Sequence, residues 1–141
     1  MVTDDHRLQA LNEANGFNAR NGIILTTWTD GFGAVRVDLE AHHVNPMHVV
    51  HGGLYTSMLD VALAMTGSFR PAPDPLLPGL TLSLTTQFLS IATLEDRYLI
   101  AKARRTGGGK SIFFADGVVR ASSGRTVATA SGIFKPSRLP Q

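Results

Sequence analysis

Residues 52–67 place apolar side chains nearly all the way round a helix and admit a single acid, Asp60. A helix that is hydrophobic on every side cannot lie on a surface and has to be enclosed by other elements. The segments after it can supply that enclosure. Thr81-Leu82-Ser83-Leu84-Thr85 alternates strictly, Arg97 to Arg105 and Ser111 to Arg120 flank a Gly107-Gly108-Gly109 turn, and Ser122-Ser123-Gly124-Arg125 leads into Thr126 to Lys135. Before the helix, Ile23 to Leu39 reads as a hairpin: Val35, Val37 and Leu39 alternate with polar residues, and Asp30-Gly31-Phe32-Gly33 supplies the turn. Two strands, one long buried helix and about four further strands predict an α+β fold in which a curved antiparallel sheet wraps one central helix.

The flanking segments fit this plan. Arg70 to Gly79 holds four prolines and reads as a loop. At the start, Thr3 is placed to cap a short amphipathic helix with Asp4 and Asp5 in its first turn, Leu8 and Leu11 on one face, and Asn15-Gly16 as the stop. Residues 1–17 are expected to form a lid or flank. With 141 residues and 43% hydrophobic content, the chain is expected to be one domain spanning 1–141.

Charge and composition exclude several classes of function. A net charge of +2 with 17% charged residues and no dense basic run argues against nucleic-acid binding and fits a small anionic ligand better. No apolar run is long enough to span a membrane. The absence of cysteine removes disulfides, thiolate metal sites and a cysteine nucleophile. Together with the lack of a secretory leader it predicts a cytoplasmic protein. His42, His43, His48 and His51 lack the carboxylates or cysteines of a recognised metal spacing, so no metal is expected.

The candidate chemistry is concentrated in Asn45-Pro-Met-His-Val-Val-His51-Gly52-Gly53 and the acid that follows. Glycines at a helix start leave backbone N–H groups open to a developing negative charge. Gly52 and Asp60 lie eight residues apart, hence roughly 12 Å along the axis, too far to act on one carbonyl. If hydrolysis needs both, they come from different copies of the helix, as in a C₂ dimer with two identical sites. Plainer roles exist for each residue: Asp60 as a structural acid, His51 as a ring bonded to backbone, Gly52 and Gly53 as close-packing positions, Asn45 as a turn former.

These residues resemble the hotdog-fold thioesterases, specifically the phenylacetic-acid-degradation (PaaI-type) and acyl-CoA thioesterase branch. The likeness covers nearly the whole chain and rests on Asn45, His51-Gly52-Gly53, Leu59-Asp60-Val61-Ala62, Pro78 to Leu84, and Phe88-Leu89-Ser90. It implies that the Gly52 N–H and the Asn45 amide polarise a thioester carbonyl, that Asp60 of the facing subunit is nucleophile or general base, and that Thr81 helps position the water or the acid. His51 would orient the loop or contact the carbonyl region. Gly53, Tyr55 and Phe88 would border the substrate, and Arg104, Arg105 and Lys110 would meet the phosphates of coenzyme A. The likeness further implies an acyl-CoA substrate, no cofactor beyond the coenzyme A that is part of it, and a homodimer that pairs into a dimer of dimers. Members often carry glycine where His48 stands and proline where Ile91 stands. A non-catalytic acyl-CoA binding module on the same fold is the alternative; a hotdog dehydratase would need a loop motif this chain lacks.

Overall fold

The computed structural model describes residues 5–138. Two short helices, α1 (His6–Glu13) and α2 (Phe17–Arg20), precede the strands β1 (Ile24–Thr29) and β2 (Phe32–Asp38), then the long α3 (Gly52–Met65). Four strands complete the chain: β3 (Leu80–Phe88), β4 (Tyr98–Gly108), β5 (Phe113–Ala121) and β6 (Thr126–Lys135). They form one antiparallel sheet in the order β1-β2-β4-β5-β6-β3. The strand after the helix therefore crosses the whole sheet to pair with the last strand, and β3 becomes an outer edge. The central helix ends two residues before the expected Gly67, with Thr66 as its C-cap. The four-residue α2 has no counterpart in the sequence reading.

The sheet curves around α3 because its inner face is built from very small residues. Ala103 pairs with Gly117, Gly117 with Ala130 and Ala115 with Gly132, while Ala101 and Ala128 flank Val119, so the helix can seat deeply. A Cβ on Gly33 would come within 2.7 Å of the Ala62 carbonyl oxygen, and one on Gly117 within 2.5 Å of Leu63 Cδ1. Large side chains fill the remaining space: Met58, Leu59, Leu63 and Met65 from the helix, with Val35, Val37, Leu99, Val119, Phe113 and Phe134 from the strands, are all fully buried. Each such side chain stabilises the fold by about 1.5–3 kcal/mol relative to exposure.

The expected cap Thr3 and its neighbour Asp4 lie outside the described residues. Asp5 fills the capping role, its carboxylate accepting the Arg7 N–H at 2.9 Å. Helix α1 flanks the sheet along β1: Leu8 is buried there, and the Asn12 amide donates to the Leu25 carbonyl at 2.9 Å while accepting the Leu25 N–H at 2.8 Å. Arg7 also donates to the carbonyls of Arg70 and Asp74, which fixes the proline-rich loop.

Candidate active site

The loop before α3 is shaped by its own side chains. Asn45 Oδ1 accepts the N–H groups of Met47 (2.9 Å) and Val49 (3.3 Å), and Val44 pairs with Val50 in an isolated antiparallel bridge. That leaves the Asn45 amide NH₂ as a free donor among the described residues. His48 sits in this loop at φ 64°, the left-handed region that glycine adopts without penalty.

At the helix start, His51 is the N-cap, and its Nδ1 accepts the Gly53 N–H at 2.8 Å. The Gly53 donor is thereby spent, while the Gly52 N–H has no acceptor among the described residues and stays open at the positive end of the helix. The Phe88 ring closes one side of it, since a Cβ on Gly52 would meet Phe88 Cε1 at 3.1 Å. Two turns further along, Asp60 is half-buried and its Oδ1 accepts the Thr81 hydroxyl at 2.5 Å. Thr81 lies on the outer strand β3, so the acid is braced from the sheet edge.

The helix thus carries an open N–H at its start and, midway along, a carboxylate braced by Thr81. Comparison with known proteins decides the family. Residues 47–128 match the family model described as the thioesterase superfamily. The chain belongs to the thioesterase superfamily. PA0474 of Pseudomonas aeruginosa, a protein named as a candidate esterase, is 35% identical over 103 residues, covering 72% of this chain and 71% of that one. Among solved structures, the Escherichia coli PaaI protein from the phenylacetic acid degradation operon superposes with a TM-score of 0.77 at 22% identity, covering 96% of this chain and 97% of the other. Thioesterase HI1161 of Haemophilus influenzae gives a TM-score of 0.76 at 16% identity, over 91% and 88% of the two chains. Zebrafish thioesterase superfamily member 2 gives 0.74 at 15% identity, over 94% of each chain. The architecture is the hotdog fold of these thioesterases, and membership of the superfamily supports a hydrolase role.

The remaining residues expected at a thioesterase site are dispersed. Tyr55 is buried beneath the helix start, with its hydroxyl accepting the Ala92 N–H at 3.1 Å. Burial, first of all, pushes that phenol above its ordinary value of 10.0, so the hydroxyl stays neutral. Arg104 and Arg105, read from the sequence as one basic turn, belong to opposite faces of β4. Arg104 lies on the outward face over the Phe32 ring at 5.0 Å, whereas Arg105 reaches the turn carbonyls of Gly107 and Gly109 and lies 5.8 Å over the ring of buried Phe113. The period of two along a strand separates them. Lys110 is exposed at the tip of that turn.

The histidines each hold a separate local task. Buried His43 accepts the Glu40 N–H at Nδ1, which leaves Nε2 to donate to the Asn21 carbonyl, and exposed His42 lies 3.4 Å from Glu40. Among the described residues no three metal-ligating side chains converge, and no helix is long and apolar enough to cross a membrane. The stretch 89–96 runs from the end of β3 back under the loop carrying Asn45; the sequence marked Leu89, Ser90 and Ile91 in it through the family resemblance alone, with no sign that Ala92 bonds Val50 and Tyr55.

Proposed function

We propose that the protein is an acyl-CoA thioesterase, hydrolysing a thioester to a free acid and coenzyme A at a site shared between two copies of the chain. The observation that carries this reading is the open Gly52 N–H on the same helix as the Thr81-braced Asp60, about 12 Å further along by helical rise. Gly52 and the Asn45 amide polarise the carbonyl and stabilise the oxyanion, aided by the helix dipole. Asp60 of the facing subunit either attacks the carbonyl carbon, giving an anhydride that water then opens, or takes a proton from the attacking water; both routes expel the coenzyme A thiolate. Thr81 holds one carboxylate oxygen and leaves the other for that task.

The edge of β3 favours the pairing. Its outer backbone groups have no strand beside them, and it exposes Leu80, Leu82 and Phe88. An antiparallel pairing of two β3 edges joins the sheets and runs the two α3 helices in opposite directions, which brings Gly52 of one copy toward Asp60 of the other.

A panel of short, long and aromatic acyl-CoAs, followed by thiol release, tests the reaction. Asp60→Asn is expected to retain fold and self-association while turnover falls at least about 100-fold, since shape is kept and the charge is lost. An Asp60→Asn variant as active as wild type removes this reading. Tight binding of intact acyl-CoA without turnover in the wild type would instead mark a binding module.

A further inference from the structure

The peptide joining Ile91 to Ala92 is held from both sides. Its carbonyl accepts from Arg125 Nη2 at 2.8 Å, and its N–H donates to the Tyr55 hydroxyl at 3.1 Å. The next carbonyl, that of Ala92, accepts the Val50 N–H at 2.8 Å. Tyr55 lies in the first turn of α3, and Val50 closes the bridge that shapes the Asn45 loop. Two consecutive peptides therefore hold both pieces of the carbonyl-binding half, the helix start with Gly52 and the loop with Asn45.

Arg125 fixes the outer side of this ladder. It sits just before β6, far in sequence from the helix, and its guanidinium also bonds both Asp96 carboxylate oxygens (3.3 and 3.2 Å) and reaches Ser90 Oγ at 3.3 Å. Asp96 in turn accepts the Thr93 N–H at 2.9 Å. One planar cation thus pins the stretch at residues 90, 91 and 96, a geometry a single point charge cannot match. A guanidinium on a carbonyl also strengthens the N–H of the same peptide as a donor, so the Arg125 bond reinforces the one to Tyr55.

We propose that Arg125 is a positioning residue for the reaction, holding the Gly52 N–H and the Asn45 amide in place through the Ile91–Ala92 peptide and Tyr55. The proposal rests on the thioesterase reading only for its catalytic consequence. The geometric consequence is tested without any substrate.

Arg125→Gln is read first in the ¹⁵N spectrum of the folded protein. The Gly52 and Gly53 amide resonances are expected to shift; if they stay in place, the proposal is overturned. On an acyl-CoA that the wild type cleaves, Arg125→Gln is expected to lower kcat about tenfold or more with KM within about twofold, since small misplacement of reacting groups penalises the transition state most. Tyr55→Phe cuts the same ladder at its other end, so the double variant is expected to lose little more than the worse single one. Fully multiplicative losses, or a change in KM alone, overturn the positioning role. A wild type that cleaves no acyl-CoA removes the thioesterase reading and leaves the glycine resonances to decide this one.

Discussion

His48 shows how a single residue can carry strain within the loop that also holds Asn45. Its φ of 64° costs a residue with a Cβ roughly 1–2 kcal/mol, whereas glycine occupies it freely. Glycine is what the resembling thioesterases often carry there. His48→Gly is therefore expected to raise the unfolding free energy by a few tenths to about 1 kcal/mol, the relief being partly offset by glycine's greater freedom in the unfolded chain. A denaturant titration checks it, and a fall in stability would mean that the imidazole contributes more than its backbone costs. The residue types of the candidate site were legible in the chain, because Asn45, Gly52 and Asp60 stand in one local stretch. Of their partners, Thr81 was named through the family resemblance alone, since its bond to Asp60 depends on how β3 lies across the helix, and the Arg125 ladder joins three segments that no local pattern connects.

At the scale of elements, α1 and the loop after α3 are held by one ion pair. The Asp5 carboxyl is kept below its ordinary value of 3.8, chiefly by its hydrogen bonds from the Arg7 side chain and backbone. A depressed carboxyl contributes stability that is fully present above its unfolded value and is lost as pH falls through its lower folded value. Acidification below about pH 4 is thus expected to loosen α1 and the proline-rich loop before the sheet opens. Hydrogen exchange at residues 6–13 measured at pH 3 and pH 6 checks this; unchanged protection at pH 3 would show that Leu8 burial and the Asn12–Leu25 bonds suffice alone. The order of elements was readable from periodicity, two strands, a helix, then four strands, because each segment keeps its own period. Strand order was not readable. Placing β3 beside β6 at the sheet edge is a long-range pairing, whereas the division of Arg104 and Arg105 between opposite faces follows from the alternation along β4 alone.

For the whole molecule, the shared-site proposal predicts complementation. Asp60→Asn and Asn45→Ala each spoil both sites of their own homodimer. In a mixed dimer one site receives an intact Asp60 and an intact Asn45 together, while the other loses both. Random mixing makes half the dimers mixed, so about a quarter of wild-type activity is expected to return when the two inactive proteins are unfolded and refolded together. No recovery would place both halves of the site within one chain. Leu82→Lys, on the exposed edge strand, is expected to yield a monomer by light scattering and to abolish turnover while leaving the far-ultraviolet spectrum unchanged.

The two outer strands of the sheet are finished differently. On β1 the N–H and C=O of Leu25 are both satisfied by Asn12, whereas among the described residues β3 has no such cover. A sheet that could be extended at both margins would string copies together without limit, in the manner of a fibre. Under the shared-site proposal, with Leu25 on one margin already bonded to a side-chain amide, strand addition is expected at β3 alone, and growth through the sheet would terminate at a pair.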